Sequence, residues 1–472
     1  MSSDATHTDM TALIGGLAIT TTTASLADAQ DAIPGLLNDI VVTHVLRSVY
    51  FDDPADLARL PAVSRAMREA VAATGLQFKE LDEEKAVNLG CFSAVQRLQR
   101  QGRLSRQESL CVAAAMSGQL EELKALRGNG TPWDGGTCEG AARGGNLEVM
   151  QWAHANGAPW NEWTCMGAAR GGHLEVLQWA RANACPWNEY TCLAAAKGGY
   201  LEVLQWARAN GCLWDKDEVT IIAAQHGHEA VLRALIQAGA DVNKADDTGG
   251  TPLVVGAQNG HETVVRALIQ AGADVNKAGD NGWTPLYIAA QEGKETVVRA
   301  LIELGADVNQ SADDGRIPLL VAAHEGNKTV VRALIAAGSD VNKAMDDGVT
   351  PLFMATHHGH EAEVQALIEA RADVNEARDN GMTPLCIGAE KGHETVVRAL
   401  VGAGADINKA KDNGATPLFM ATEFGQEAVE RALIDLGADV NKADDRGITP
   451  LLIGGHLGQA AIVQILRDAG AA

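Results

Sequence analysis

Apolar, small and polar residues recur with two fixed periods along most of this chain. In its second half a Thr-Pro-Leu triplet, or a close variant, recurs with a 33-residue period, and Asp-Val-Asn or Asp-Ile-Asn keeps the same spacing. The first residues of these triplets are Thr251, Thr284, Ile317, Thr350, Thr383, Thr416 and Thr449. Upstream a shorter, 27-residue period separates Trp133, Trp160, Trp187 and Trp214. Such constant spacing is typical of arrays in which each unit packs on its neighbours.

A single 33-residue unit predicts two short helices. Thr284 is a suitable helix cap, and Pro285 can take the first helical position, where its missing N–H costs nothing. The first helix is expected to end at Gly293. Gly305 would end the second helix as a left-handed cap, and the polar residues 307–315 lead to the next unit. The second helix has an apolar stripe at helical spacing, formed by Val297, Val298, Leu301 and Ile302.

These motifs resemble the ankyrin repeat over roughly residues 105–472. The shared features are the Thr-Pro-Leu triplet, an Ala-Ala pair, a Gly-His or Gly-x break and Gly-Ala-Asp-Val-Asn. The resemblance implies an all-α solenoid of about twelve units with short β-hairpin-like loops. Residues 105–213 would hold four 27-residue units, and residues 214–472 eight 33-residue units, including a degenerate one from Glu218. Residues 81–104 would be a linker or a degenerate capping repeat.

Two features of the array depart from the usual ankyrin pattern. Ankyrin repeats usually have histidine after the triplet, and we expect the apolar residues found here to pack where an imidazole would hydrogen-bond. These residues are Val254, Tyr287, Leu320, Phe353, Cys386, Phe419 and Leu452. In addition, eight of the nine tryptophans fall between Trp133 and Trp214. Either they fill the space left by shorter loops, or they form an exposed recognition face, since tryptophan is common at binding hot spots.

The N-terminal segment 1–80 follows neither period. Residues 1–32 are rich in Thr, Ala and Asp and are predicted to be disordered. Residues 33–80 predict three short amphipathic helices, and the segments 37–41, 53–60 and 63–65 resemble an F-box, although Leu36-Leu37 replaces its opening Leu-Pro. The resemblance implies docking on the adaptor of a cullin-type ubiquitin ligase through Leu36, Leu37, Ile40, Val45, Leu46, Pro54, Leu57, Leu60 and Val63. Alternatively, these helices only cap the solenoid.

Charge and hydropathy argue against several classes of partner. The chain has 61 acidic and 38 basic residues, a formal charge of −23, so phosphate backbones and anionic lipids should be repelled. No apolar run reaches the ~18–20 residues of a membrane-spanning helix. The first basic residue is Arg47, too late for a targeting peptide. We therefore expect an intracellular monomer, cytoplasmic or nuclear, that binds protein partners but neither nucleic acid nor membrane.

The sequence contains none of the common catalytic or metal-binding motifs that we searched for. The sequence has no phosphate-binding loop, His-Glu-x-x-His, Cys-x-x-Cys or Gly-x-Ser-x-Gly, so we expect no catalytic residue, no cofactor and no enzyme. His357, His358 and His360 lie close together, but adjacent helical residues point about 100° apart, which is poor metal-ligand geometry. We expect no metal site. The cysteines are interpreted as small buried apolar residues, with the arrangement of Cys185 and Cys192 left open.

Variation between units separates the surface from the scaffold. The residue before each triplet and the pair before each Gly break change freely, so we expect them to be available for recognition. Aromatic and Arg side chains carry most interface energy, which favours Trp283, Arg316 and Phe424. The full set is Trp283, Gln291, Glu292, Arg316, His324, Glu325, Val349, His357, His358, Met382, Glu390, Lys391, Glu423, Phe424, Ile448, His456 and Leu457. Ankyrin proteins commonly bind through the matching positions; the alternative is free drift on an unused surface.

The loops also resemble a modification site. Leu-x(7)-Asn, as in Leu301 to Asn309, is similar to the sequence at which asparaginyl hydroxylases modify ankyrin hairpins. The candidate positions are Asn243, Asn276, Asn309, Asn342, Asn375, Asn408 and Asn441. The sequence thus predicts a non-enzymatic protein that binds a partner on its concave face, as substrate receptor of a cullin-type ubiquitin ligase. The alternative is an ankyrin scaffold or adaptor without a link to ubiquitin.

Overall fold

The computed structural model describes residues 82–472, so the predicted tail and the F-box-like helices lie outside the described residues. Between residues 82 and 472 every regular element is helical, with 26 α-helices and one short 3-10 turn at Asp280–Gly282. None of these helices is long and apolar enough to cross a membrane. The chain divides into two compact units, Met1–Trp214 and Asp215–Ala472. The predicted all-α repeat architecture is confirmed.

The described part of the first unit consists of five helix pairs. They are α1 (Glu83–Asn88) and α2 (Phe92–Arg100), α3 (Glu108–Met116) and α4 (Leu120–Gly128), α5 (Gly135–Arg143) and α6 (Leu147–Ala155), α7 (Glu162–Gly171) and α8 (Leu174–Ala182), and α9 (Tyr190–Lys197) and α10 (Leu201–Ala209). The pair α1–α2 lies in the segment 81–104. The Glu83 carboxylate accepts hydrogen bonds from the Ser105 N–H at 2.6 Å and the Arg106 N–H at 3.0 Å, which ties this pair to the chain entering α3.

The second unit consists of eight longer repeats. Its helices are α11 (Lys216–Gln225), α12 (Glu229–Gln237), α13 (Pro252–Gln258), α14 (Glu262–Gln270), α15 (Pro285–Gln291), α16 (Glu295–Glu303), α17 (Pro318–Glu325), α18 (Lys328–Ala336), α19 (Pro351–His358), α20 (Glu361–Glu369), α21 (Pro384–Lys391), α22 (Glu394–Gly402), α23 (Pro417–Glu423), α24 (Glu427–Asp435), α25 (Pro450–His456) and α26 (Ala460–Asp468). Odd-numbered helices are the first of each repeat.

Local sequence explains where the first helices begin. The Thr284 hydroxyl accepts a hydrogen bond from the Tyr287 N–H at 3.1 Å, and Pro285 takes the first helical position. Five further triplet threonines make the same bond at 3.2–3.3 Å, whereas Ile317 supplies no side-chain cap. The capping role predicted for the triplet is confirmed.

The apolar residues that follow the triplet are part of the core. Phe353 and Phe419, for example, are 4% and 2% exposed, and Val254, Tyr287, Leu320 and Cys386 are buried as well. The expectation that they pack inside is therefore confirmed for these six positions. Leu452 is 58% exposed instead, because α25 and α26 are the last helix pair within residues 82–472 and none of the described helices packs over it.

Most tryptophans of the short repeats pack between successive repeats, although Trp163 is 46% exposed. Three loop tryptophans pack edge to face on a tryptophan in the second helix of the same repeat, with ring centroids 5.8–5.9 Å apart. The pairs are Trp133–Trp152, Trp160–Trp179 and Trp187–Trp206. A residue of the preceding second helix covers the other face, as with Arg127 over Trp133 at 4.0 Å and His154 stacked on Trp160 at 3.6 Å. Cation–π and edge-to-face contacts of this kind are stabilising. This geometry favours the space-filling interpretation.

All eight cysteines are buried. Cys165 lies beside Cys185, and Cys192 beside Cys212, so the thiols that the sequence left open belong to different pairs. A hydrogen bond from the Cys165 thiol lowers the pKa of Cys185, and Cys192 has the same effect on the pKa of Cys212.

A ladder of asparagine side chains links the loops of successive long repeats. The side-chain oxygen of Asn375 accepts a hydrogen bond from the Asp406 N–H at 2.8 Å, and its amide donates to the Gly404 carbonyl at 3.1 Å. The same acceptor bond to the backbone of the next loop, at 2.8–2.9 Å, is made by Asn243, Asn276, Asn309, Asn342, Asn408 and Asn441. These are the seven asparagines singled out as modification candidates, and each of them holds two successive segments of the array together.

Replacing Asn375 by alanine is expected to lower the free energy of unfolding of the second unit by about 1 kcal/mol, since two inter-repeat hydrogen bonds are lost at a partly exposed site. Urea unfolding followed by circular dichroism measures the change. Asn259→Ala is the matched control, because the Asn259 amide bonds only to the Val255 carbonyl of its own helix; it should change stability by less than about 0.5 kcal/mol. Equal losses in the two variants would contradict a linking role for Asn375.

Candidate protein-binding groove

A groove of about 550 Å³ opens beside three consecutive first helices of the second unit, α17, α19 and α21. Cavities of ligand-binding size are typically about 300–1,000 Å³. Its walls come from those helices and from the loops that precede them. The lining residues are Arg316, His324, Met345, Asp347, Val349, Phe353, Met354, His357, His358, Arg378, Asn380, Met382, Ile387, Glu390 and Lys391. Eight of the seventeen predicted recognition residues are among them: Arg316, His324, Val349, His357, His358, Met382, Glu390 and Lys391.

The floor of the groove is apolar. Phe353 and Ile387 are only 4% and 5% exposed. Val349 and Met382 were expected on open surface, which is wrong, since they are 5% and 7% exposed. The reason is the loop conformation: the Val349 carbonyl accepts a hydrogen bond from the Met345 N–H at 2.9 Å, and the corresponding bond closes the loop before α21. These closed turns hold both side chains in the floor.

Positively charged side chains stand on the rim, each paired with a carboxylate. The Arg316 guanidinium lies 3.0 Å from the Asp314 carboxylate, and the Lys391 ammonium 2.9 Å from that of Glu390. Arg378 pairs with Asp347 and lies over the Phe353 ring, 5.4 Å from its centroid. Between 33% and 39% of each of the three cationic side chains is exposed. Exposed ion pairs contribute little energy, so these cations can still bind a partner.

Three histidines occupy the helix side of the groove. The His358 ring lies 4.5 Å from the His324 ring and 4.6 Å from the His357 ring, measured between centroids. Burial, reinforced by the charge of Lys391, lowers the pKa of His357; burial and His324 lower the pKa of His358. Both are therefore neutral at pH 7 and can donate and accept hydrogen bonds. Among residues 82–472 no group of three or more ligating side chains is arranged to hold a metal ion.

The ends of the groove helices are tied to the next repeat. The imidazole Nε2 of His360 lies 3.0 Å from the His324 carbonyl, and that of His393 lies 3.2 Å from the His357 carbonyl. Gly359 has a φ of 73°, and a Cβ there would lie 2.6 Å from the His393 ring. Only glycine tolerates both the positive φ and the close approach of the His393 ring. The Gly-His break therefore positions the histidines that line the groove.

Several lining residues were missed by the sequence analysis because it treated the loops as solvated turns. Met345 and Arg378 occupy equivalent loop positions in successive repeats. Their counterparts in the other long repeats are Asp246, Gly279, Ala312, Lys411 and Asp444. This free variation is the same signal that identified the helix-end pairs, and it could have located the loop side of the groove.

The remaining nine recognition candidates lie outside the groove: Trp283, Gln291, Glu292, Glu325, Glu423, Phe424, Ile448, His456 and Leu457. Trp283 is 36% exposed and stacks on Tyr287, with ring centroids 5.9 Å apart. Phe424 and Leu457, at equivalent positions of the last two repeats, are 51% and 47% exposed. They form separate apolar spots rather than one cavity.

Comparison with known proteins agrees with this architecture. The family model for ankyrin repeats (3 copies) matches residues 191–279, 220–312, 275–345, 319–411 and 404–472. Among solved structures, the human ASB11 ankyrin repeat domain is similar, with 24% sequence identity, 47% of this chain and 99% of that chain covered, and a TM-score of 0.44. A comparison with curated proteins finds no match. Because the family model covers well over half of the sequence, the chain belongs to the ankyrin repeat family.

Proposed function

We propose that this protein is a non-enzymatic intracellular receptor that binds a protein partner in the groove beside α17, α19 and α21. The observation that carries the proposal is convergence: eight positions that vary from repeat to repeat line one cavity. Six of the eight are at least partly exposed, all except Val349 and Met382, whereas scaffold positions such as Thr284 and Phe419 are buried. Ankyrin repeats serve protein–protein interaction, and extended repeat surfaces suit that task.

The second part of the proposal concerns the biological purpose of partner binding. The F-box-like segment 33–80 would dock on the adaptor of a cullin-type ubiquitin ligase, making the groove a substrate-binding site. Support comes from its sequence resemblance, with Leu37, Pro54 and Leu57 among the predicted contact residues. The competing proposal is an ankyrin scaffold whose N-terminal helices only cap the array.

A pull-down with purified cullin-ligase adaptor separates these two. The full chain should retain the adaptor, and a variant without residues 33–80 should not. A variant without residues 1–32 is the control, since it loses another N-terminal segment but keeps the F-box-like helices, and it should retain the adaptor fully. Equal retention, or equal failure, of the full chain and the 33–80 deletion would contradict the ligase role and leave the scaffold.

Hydroxylation of the loop asparagines is proposed as a modification received by this protein. The supporting features are the Leu-x(7)-Asn pattern and the location of all seven residues in loops. Several of them, such as Asn309 and Asn342, are partly or fully exposed to solvent. Mass spectrometry of the protein isolated from cells would detect the mass of one added oxygen atom on the corresponding peptides if the enzyme acts on them.

A further inference from the structure

We infer that the groove binds an extended acidic segment of a partner protein that carries a large apolar side chain. This inference rests on the proposed protein-binding function and specifies the chemistry of the partner. It follows from the floor, the rim charges and the length of the groove, considered in turn below.

The floor is suited to one apolar anchor. Phe353 and Ile387 provide a rigid base, while Met345, Met354 and Met382 surround it. Methionine side chains are flexible and polarizable, so they adapt to an inserted side chain. Met345 and Met354 are still partly exposed, so an apolar side chain placed against them would bury apolar surface, which is favourable.

The rim favours carboxylates. Arg316, Arg378 and Lys391 line the groove, and each lies beside one carboxylate, that of Asp314, Asp347 or Glu390, so the rim is close to neutral. The whole second unit, by contrast, has 38 acidic and 21 basic residues, a net charge of −17. The groove is thus a place in a negative unit where cationic donors are concentrated and partly exposed. Arginine presents several donors in a planar fork, which lets it bind a second carboxylate beside its own.

The dimensions favour an extended chain. The rim cations come from the two outer repeats of the groove, with Arg316 before α17, Arg378 before α21 and Lys391 at the end of α21. Packed helices are ~8–10 Å apart, so α17 and α21, which are two layers apart, are separated by roughly 16–20 Å, the length of about five to six extended residues at ~3.3 Å each. A segment of that length can place carboxylates at both ends of the rim and an apolar side chain between them.

Selection from a random peptide display library against the immobilised full-length protein tests this inference. The peptides should be at least about six residues long to span the groove. The selection is repeated on Arg316→Glu/Lys391→Glu, which reverses two rim charges. The matched control is Arg299→Glu/Arg332→Glu, which makes the same change in net charge on the second helices α16 and α18, where both arginines are exposed. Circular dichroism confirms that both variants are folded.

We expect peptides with Asp or Glu on both sides of a Phe, Leu, Met or Ile. The best of them, measured by fluorescence polarisation, should lose roughly tenfold or more in affinity on the rim variant and less than about twofold on the control variant. Replacing its apolar anchor by alanine should weaken binding by a similar factor.

Three other results would contradict the inference. They differ in whether the proposed protein-binding function of the groove also fails. Groove-dependent peptides without carboxylates would leave the protein-binding function standing and refute the acidic partner. Failure to select any peptide that distinguishes the rim variant from the wild type would refute the groove as the binding site as well. A dimer of the free protein, seen by sedimentation and lost in the rim variant, would assign the groove to a second copy of the chain.

Discussion

Replacing Glu430 by glutamine is expected to stabilise the second unit, relative to the wild type, progressively more as the pH rises from about 5 to 8. Glu430 lies on α24 with no exposed surface, and burial raises the pKa of its carboxyl to about 8. Its two oxygens lie 3.0 and 2.9 Å from the Thr422 hydroxyl, which itself lies 3.0 Å from the Leu418 carbonyl. A protonated Glu430 can donate to Thr422 while Thr422 donates to Leu418. An ionised Glu430 would compete with Leu418 for the single threonine proton.

The direction of the pH dependence follows from proton uptake. The folded pKa of Glu430, about 8, lies above the reference value of 4.5, so folding binds a proton between these two values. The contribution of Glu430 to wild-type stability is therefore highest below about pH 4.5 and falls as the pH rises to about 8. The full difference corresponds to a free energy on the order of 5 kcal/mol, with about 3 kcal/mol between pH 5 and 8. Glutamine keeps the size and a hydrogen bond but does not titrate.

Urea unfolding of wild type and variant at several pH values between about 5 and 8.5 gives this difference directly. Subtracting the two profiles isolates Glu430 from the other titrating groups. Glu427→Gln is the matched control, because Glu427 lies on the same helix but is exposed, and its profile should parallel that of the wild type. If Glu430→Gln also parallels the wild type, Glu430 is not protonated on folding.

The identity of Glu430 is unusual for its position. The equivalent residues of the three preceding second helices are valines, Val331, Val364 and Val397, and all are buried. Position 422 holds threonine where Ala389 stands one repeat earlier. The pair Thr422 and Glu430 therefore replaces an apolar contact by a buried polar one, which is costly unless its hydrogen bonds are satisfied.

Much of this structure could be predicted from local sequence because the repeat makes each signal recur. Thr284 caps its helix and Phe419 is buried, as their spacing in the sequence indicates. The predictions that failed depend on neighbours in space. Val349 varies between repeats like a surface residue, yet the turn closed by Met345 directs it into the floor.

The groove itself was predictable only on one side. The helix-end pairs, including His357 and His358, were identified from their variation. Arg378 was not, because a charged residue in a polar loop resembles a solvated turn until its position over Phe353 is known. The asparagine ladder was hidden for a related reason: Asn375 contacts Asp406, which belongs to the next loop along the chain, and no local pattern shows such a bond.

Replacing Phe419 by alanine should destabilise the second unit by about 3–5 kcal/mol, the usual cost of removing a buried aromatic side chain. Phe419 lies on α23 and is among the largest fully buried side chains in the described part of the chain. Leu452 occupies the equivalent position one repeat later, but it is 58% exposed. Leu452→Ala is therefore the matched control and should cost less than about 1 kcal/mol, since most of its surface is already in contact with water.

Denaturant unfolding of the two variants, followed by circular dichroism, measures both changes in one protein. A large difference between them would show that a residue after the Thr-Pro-Leu triplet stabilises the array only when the next repeat packs over it. Similar losses of unfolding free energy in both variants would mean that the residue at this position stabilises mainly its own helix pair. In that case the packing of one repeat on the next would have to depend on the remaining contacts, chiefly the asparagine ladder and the buried aliphatic residues of the second helices.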